Sequence, residues 1–186
     1  MISRIKACMG SYAAAFTIDV YRFVHPDYTS VEDMFAGKGP LHAHGRWLRK
    51  GSQLATYTSL TPEVALAEAL AAGRYYGLPD SKSAPLVFVT ARANLHKVLD
   101  LREGALRQRL RFSMQTITQS DWREENASGR ESKTQAFGYA LLSVGLEGFI
   151  SPSAAYHGGS NLIIFPENLS PKSFFKIHSK VKWPRL

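Results

Sequence analysis

The sequence predicts an α+β domain with a split, mainly antiparallel sheet. Roughly six segments have strand patterns and three have helical spacing, and they do not alternate as strands and helices do in a parallel sheet. The chain has 186 residues, of which 45% are hydrophobic and 20% charged, which is the balance of one ordinary soluble domain. We therefore expect a single compact domain over residues 16–186, preceded by an N-terminal extension over residues 1–15.

Local patterns define the elements of the first half. Residues 16–24 alternate apolar and polar side chains and predict a half-buried strand. Residues 28–50 are rich in Gly, His and Pro without a period, which predicts a long ordered loop. A short strand is predicted over residues 54–59. Thr61-Pro62 then begins a helix to about Tyr76, because Thr is a good N-cap and Pro is tolerated at the first helical position.

The second half contains shorter elements. Residues 85–92 and 95–101 predict two strands, and residues 102–112 predict a basic amphipathic helix. Asp121-Trp122 is expected in a polar loop. The last predicted elements are a helix over residues 132–144 and three short strands over residues 148–151, 161–165 and 173–177.

The composition limits the partners and the compartment. A formal charge of +8 suits a polyanionic partner, although the basic tail from Lys172 to Arg185 is more typical of a solvated surface. One cysteine, Cys8, cannot form an internal disulfide, which favours a reducing compartment and hence the cytoplasm. No apolar run approaches the ~20 residues of a membrane helix, so we expect no membrane association.

Glu68 is the first candidate catalytic residue. It lies in the middle of the predicted helix that begins at Thr61, and its neighbours three and four positions away are Val64 and alanines. If that face is buried, the carboxylate needs a partner or a ligand, because an unpaired buried charge is strongly disfavoured. The alternative is an ordinary solvent-facing glutamate.

Two further segments carry candidate binding residues. Arg46 follows a glycine in the predicted loop, and an arginine can grip a pyrophosphate with two charge-assisted hydrogen bonds. Tyr57, at the end of a short strand, offers a flat face for a ring. Residues 148–161 run from a strand into a loop of small residues, where Ser153 and Asn161 offer hydrogen bonds to a ligand in a cleft.

Other chemistries have weaker support in the sequence. His42, His44 and His157 could bind a metal, but two histidines in a loop without a dedicated acidic neighbour are more typical of polar loop residues. The sequence contains no H-E-x-x-H, no C-x-x-C, no Walker A motif and no strand-linked G-x-G-x-x-G. A redox dehydrogenase and a P-loop enzyme are therefore not predicted.

The chain resembles the RES domain, which is named for its arginine, glutamate and serine, through five residues in the family's order: Arg22, Arg46, Tyr57, Glu68 and Ser153. The resemblance runs from about Val20 to Pro166, through the motifs VYRF, HGRW, TYTS, ALAEAL, DW, TQAFG, GFISPSA and SNLIIFP. One departure is that His44-Gly45 and Leu48 stand where the family often has two glycines and an asparagine.

The resemblance implies a fold similar to the ADP-ribosyltransferases and a bacterial toxin that consumes NAD as its substrate, without a metal. It also implies a cognate antitoxin with a helix-turn-helix of the Xre type, so that nucleic acid is met only through the antitoxin complex. Water, phosphate or a protein side chain could accept the ADP-ribose. The alternative, favoured by the net charge and by His42, His44 and His157, is a basic nucleic-acid-binding or RNA-cleaving module.

NAD carries an anionic pyrophosphate and a cationic nicotinamide, so its site needs cations at one end and a carboxylate near the other. Glu68 would stabilise the oxocarbenium-like charge that develops when the nicotinamide–ribose bond breaks. The other expected roles are phosphate binding by Arg22 and Arg46, ring stacking by Tyr57, and hydrogen bonding to the ribose or carboxamide by Ser153 and Asn161.

Overall fold

A sheet that closes on itself organises the fold. The structure is a computed structural model, and it describes residues 1–27, 36–83 and 86–183. Part of the predicted loop (residues 28–35), the first predicted strand residue at position 85 and Arg185 of the basic tail lie outside the described residues.

The described residues form six strands, two short 3₁₀ turns and several helices. The strands are β1 (Ala14–Val24), β2 (Thr56–Ser59), β3 (Leu86–Asp100), β4 (Gly148–Pro152), β5 (Ser160–Ile164) and β6 (Phe174–Trp183). The helices are α1 (Ile2–Tyr12), α2 (Gly39–His42), α3 (Pro62–Tyr75), α4 (Gly104–Leu110), α5 (Met114–Gln119), α6 (Trp122–Ala127) and α7 (Lys133–Ser143).

The strand order is β1-β2-β5-β4-β3-β6, and an additional pairing of β1 with β3 closes five of the strands into a ring. The ring closes where Tyr21 of β1 faces Ser59 of β2. Only the β3–β4 pairing is parallel among the described strands. The predicted α+β class with a mainly antiparallel sheet is confirmed.

One continuous strand, β3, replaces the two strands predicted over residues 85–101. Its buried residues alternate from Val87 to Leu95, and β1 pairs with it across the predicted break, with Thr17 opposite Asn94. The prediction of a break was wrong because cross-strand pairing on both edges of β3 outweighs the weak local strand preference of Asn94.

Helix α1 lies within the segment predicted as an N-terminal extension, residues 1–15. Ile5 and Cys8 of this helix are buried in the main core. Their spacing of three residues places both side chains on one face of the helix. The N-terminal segment therefore packs onto the core of the domain.

Two helices take their positions from side-chain caps. The Thr61 hydroxyl accepts a hydrogen bond from the Val64 amide and begins α3 as predicted. Asp121 caps α6 by accepting from the Glu124 amide at 3.1 Å. The prediction of a polar loop at Asp121-Trp122 was therefore wrong, because the carboxylate begins a short helix there.

Helix α7 packs against the loop that carries Arg46. Its N-terminus has a capping box formed by Ser132 and Gln135. The Trp47 ring packs against Phe137 of this helix, with ring centroids 6.5 Å apart, and edge-on against Phe149 of β4, with ring centroids 4.9 Å apart. These aromatic contacts fix the backbone of the loop immediately beside Arg46.

Candidate active site

The candidate site is a cleft of about 740 Å³. Five of the six residues predicted from the sequence line it: Arg22, Arg46, Tyr57, Glu68 and Asn161. They come from β1, the Arg46 loop, β2, α3 and β5, so the closure of the sheet is what brings these distant segments together. The size suits a ligand as large as a dinucleotide.

Glu68 projects from α3 into the cleft, and one of its two oxygens is held firmly. Oε1 accepts a hydrogen bond from the Ser153 hydroxyl at 2.7 Å and another from the Asn161 side-chain amide at 2.6 Å. Within the described residues, Oε2 makes no hydrogen bond. The carboxylate is therefore fixed in orientation while one oxygen remains available to a ligand.

Ser153 lies behind Glu68 and is absent from the lining of the cleft. Its hydroxyl accepts hydrogen bonds from the Ala155 and Tyr156 amides, both at 3.1 Å, while it donates to Glu68. Only 6% of Ser153 is exposed. The sequence predicted direct contact between Ser153 and the substrate, whereas the structure places this residue as a support for the carboxylate.

Asn161 bridges Glu68 and β2. Its amide nitrogen donates to Glu68, and its amide oxygen accepts from the Ser59 hydroxyl at 2.8 Å. Both ends of the side chain are therefore occupied by protein partners, although the residue still lines the cleft. Like Ser153, Asn161 orients the carboxylate.

Arg46 extends between the cleft and the end of α5. Its Nη1 donates to the carbonyl oxygens of Ile117 and Ser120, both at 3.0 Å. Within the described residues, Nε and Nη2 make no hydrogen bond. Burial lowers the pKa of Arg46, while the nearby Glu68 carboxylate opposes that shift, which places the two charges close enough to interact.

Helix α7 holds the Arg46 loop through Gln135, a buried residue that sequence analysis did not select. Its amide nitrogen donates to the Gly45 carbonyl at 2.9 Å and to the Asn126 side chain at 2.7 Å. A Cβ at Gly138 on the same helix would collide with the Trp47 carbonyl oxygen. The TQAFG motif therefore shapes the loop. Nothing in the sequence indicates that Gln135 contacts Gly45, because the two residues are 90 positions apart.

Tyr57 presents part of its ring to the cleft, with its hydroxyl buried. A Cβ at Gly45 would lie 2.9 Å from that hydroxyl, so only glycine fits beside it without a shift. Burial raises the pKa of the Tyr57 phenol. The phenol therefore stays neutral, and a ligand meets its ring as an uncharged surface.

Arg22 enters the cleft from β1. Desolvation by burial lowers its pKa to about 10, so it remains a cation near neutral pH. Its position in the lining adds a second positive group to Arg46. An anionic ligand would therefore meet at least two guanidinium groups in this cleft.

The sequence missed the residues at the rim of the cleft: Arg74, Tyr75, Trp122 and Arg123. Trp122 and Arg123 belong to α6, the helix that the sequence did not predict. Tyr75 is the last residue of α3 and is 44% exposed. The Asp121 cap followed by acidic first-turn residues was the available signal for this helix.

The predicted histidines are dispersed. Of His42, His44 and His157, only His44 lines the cleft, and its Nδ1 accepts a hydrogen bond from the Lys50 amide. Over residues 1–27, 36–83 and 86–183, no group of three His, Cys, Asp or Glu side chains could hold a metal ion. In the same residues, every helix is too short or too polar to cross a lipid bilayer.

Comparison with known proteins gives a family and a fold. The family model of the RES domain matches residues 19–183. The structure is similar to a chain in the crystal structure of the M. tuberculosis MbcT–MbcA toxin–antitoxin complex, with a TM-score of 0.78 and 20% sequence identity over 98% of this chain and 91% of that chain. No curated protein sequence matches the chain.

Proposed function

Because the chain belongs to the RES domain family, we propose that it is the toxin of a bacterial toxin–antitoxin pair that consumes NAD by breaking the nicotinamide–ribose bond. The observation that carries the proposal is the pairing of an oriented carboxylate, Glu68, with Arg46 in one cleft. A cation can bind the pyrophosphate, and the carboxylate can stabilise the cationic ribose. We place the reaction in the cytoplasm, in line with the lone buried Cys8.

Binding of NAD uses the free donors of the site. Nε and Nη2 of Arg46 are available for the pyrophosphate, and Arg22 adds positive charge from the other wall. The Tyr57 ring would stack on the nicotinamide. This arrangement puts the scissile bond near Glu68, whose Oε2 is open to the cleft.

The bond between the ribose C1′ and the nicotinamide nitrogen breaks with its electron pair moving to that nitrogen, which neutralises the pyridinium ring. The ribose carbon then carries oxocarbenium-like charge, which the Glu68 carboxylate stabilises. An acceptor donates a lone pair to C1′ and loses its proton. One preorganised charge of this kind supplies about a hundredfold in rate.

The products of the reaction identify the acceptor. Purified protein is incubated with NAD, with and without phosphate, and the mixture is separated by chromatography. Free nicotinamide with ADP-ribose indicates water, and a phosphorylated ADP-ribose indicates phosphate. Nicotinamide with a labelled protein band indicates a side-chain acceptor. Intact NAD both with and without phosphate would contradict the proposal.

The partner implied by the family is an antitoxin with an Xre-type helix-turn-helix. The similarity to a chain of a toxin–antitoxin complex supports this pairing, and the +8 charge of the chain favours an acidic binding surface. Co-expression with the product of the neighbouring gene is expected to restore growth and to yield a co-purifying complex. Failure to form a complex at low salt would contradict this part of the proposal.

A nucleic-acid-cleaving function has little support from the site, since its three candidate histidines do not converge in the cleft. Retention of RNA that falls steeply with salt, together with the absence of NAD cleavage, would favour that alternative.

A further inference from the structure

Three side chains form a cluster at the rim of the cleft, here called the rim cluster: Tyr75, Trp122 and Arg123. The Arg123 guanidinium lies 4.3 Å from the Trp122 ring centroid and 4.9 Å from that of Tyr75. The Tyr75 hydroxyl donates to the Asp121 carboxylate at 2.9 Å. This hydrogen bond ties the end of α3 to the start of α6, so the rings have a defined position beside the cleft.

The rim cluster lies about two helical turns from the candidate catalytic carboxylate. Tyr75 follows Glu68 by seven residues on α3, which is about 10 Å along the helix axis. An extended dinucleotide can span that separation between its two bases. Both residues line the same cleft, so a single ligand can contact both.

Arg46 is near both the carboxylate and the rim cluster. Its guanidinium interacts electrostatically with Glu68 and also with Asp121 and Arg123. Its hydrogen bond to the Ser120 carbonyl places it directly beside the start of α6. Arg46 is therefore placed to bind the pyrophosphate of a dinucleotide that reaches from Glu68 to the rim cluster.

The two guanidinium groups repel each other in the free chain. Burial lowers the pKa of Arg46, and the like charge of Arg123 lowers it further. Within the residues that the structure describes, the Arg123 guanidinium packs on two aromatic rings and interacts electrostatically with the Asp121 carboxylate, but it makes no salt bridge. An anion bound between the two cations would remove this repulsion.

We propose that the rim cluster binds the adenylate half of the dinucleotide. The purine stacks on Tyr75 and Trp122, and Arg123 turns from the rings to the pyrophosphate beside Arg46. A nucleotide supplies both new partners at once, a flat ring for the aromatic faces and a phosphate for the guanidinium. The inference rests on the proposed function, to which it adds the half of the substrate that the rim recognises.

The test measures binding of AMP by calorimetry, so it does not depend on catalysis. Trp122→Ala is expected to weaken AMP binding roughly tenfold, because stacking of a base on one aromatic side chain is worth about that much. Arg123→Ala is expected to weaken AMP binding to a similar extent, because the phosphate loses a charge-assisted hydrogen bond. Trp122→Phe keeps a stacking ring and is expected to stay within about twofold of the wild type. The matched control is Tyr139→Ala, an exposed aromatic residue of α7 outside the cleft.

Equal AMP affinity in all variants, or no AMP binding by the wild type, would overturn the inference. Thermal unfolding checks that each variant is folded, and Arg123→Ala carries the test if Trp122→Ala does not fold.

A second measurement compares NAD with nicotinamide mononucleotide, which lacks the adenylate half. Trp122→Ala is expected to raise KM roughly tenfold for NAD and to leave KM for the mononucleotide unchanged, because the mononucleotide has no purine to stack on this ring. An equal rise for both substrates would contradict an adenylate subsite. If the wild type cleaves neither substrate, the proposed function fails, and AMP binding still decides whether the rim cluster is a nucleotide site.

Discussion

Two carboxylates of this chain, Glu68 and Glu147, are both held by hydrogen bonds yet differ in what they leave free. Glu147 is 1% exposed, and both of its oxygens accept. Oε2 accepts from the His96 amide at 2.6 Å and the Ser173 hydroxyl at 2.7 Å, and Oε1 accepts from the Ser170 amide at 3.1 Å. Glu147 therefore joins the end of β3 to the loop before β6.

Glu68 has the same kind of serine partner but only one occupied oxygen. Ser153 and Asn161 both donate to Oε1, and Oε2 faces the cleft. The difference indicates that a carboxylate with both oxygens satisfied stabilises the fold, whereas one with a free oxygen in a cleft can act on a ligand.

The largest expected effect is the loss of toxicity in Glu68→Gln. Glutamine keeps the shape and an oxygen that Ser153 and Asn161 can donate to, but it lacks the negative charge that stabilises the ribose cation. We expect the wild type to lower cellular NAD and stop growth, and the variant to cleave NAD at least about a hundredfold more slowly. Growth and cellular NAD are measured at equal levels of soluble protein.

The control for that variant is its free energy of unfolding in urea, which we expect to change by less than about 1 kcal/mol because the hydrogen bonds to Oε1 are kept. Full toxicity in a normally folded Glu68→Gln protein would show that the carboxylate has no role in the reaction.

Glu147→Gln is expected to have the opposite effect. An amide NH₂ would face donors where a carboxylate oxygen now accepts, so we expect a loss of about 2–3 kcal/mol in the free energy of unfolding. NAD cleavage per folded molecule should match the wild type, because Glu147 is absent from the lining of the cleft. Unchanged stability in urea would mean that these hydrogen bonds contribute little.

Substitution of the serine partner of each glutamate, Ser153 or Ser173, is expected to have a smaller effect than substitution of the glutamate itself. Ser153→Ala removes one of the two donors that orient Glu68, and we expect kcat for NAD to fall roughly tenfold. Ser173→Ala removes one donor to Glu147 and should cost about 1 kcal/mol in stability without a change in kcat. Steady-state kinetics and urea unfolding of both variants test the pair. A fall in kcat in Ser173→Ala would show that Glu147 also contributes to the reaction.

The smallest effect concerns acid stability. Burial tends to raise the pKa of Glu147, but the hydrogen bonds from His96, Ser173 and Ser170 outweigh it, and the pKa is lowered below its ordinary value of 4.5. A pKa that is lower in the folded state contributes stability above the unfolded pKa and loses it as the pH falls through the folded pKa.

We therefore expect the urea midpoint of the wild type to fall below about pH 4.5 more steeply than that of Glu147→Gln, which cannot titrate at this position. Parallel curves for the two proteins between about pH 6 and pH 3.5 would contradict this role of Glu147.

Local signals account for the elements that the sequence predicted correctly and for the selection of Glu68 as a candidate. The Thr61-Pro62 start of α3 and the alternation of β1 lie within single segments, so they are visible without tertiary structure. Glu68 was identified because its helical neighbours are small and apolar. The 3.6-residue period of a helix was enough to select Glu68 as a candidate.

Long-range contacts account for what the sequence did not predict. Gln135 meets Gly45 across 90 residues, and Ser153 meets Glu68 across 85 residues. The sequence therefore identified Ser153 as the serine of the family pattern, but it suggested direct contact with the substrate instead of contact with Glu68. The unbroken β3 likewise depends on partners that lie far away along the chain.

One measurement tests most directly whether Glu68 acts in the reaction while Glu147 acts only in the fold. It is the initial rate of nicotinamide release from saturating NAD by three purified proteins: the wild type, Glu68→Gln and Glu147→Gln. The rates are normalised to folded protein. We expect the wild type and Glu147→Gln to release nicotinamide at equal rates, and Glu68→Gln to release it at least about a hundredfold more slowly. Equal rates for all three proteins, or no release by the wild type, would contradict this expectation.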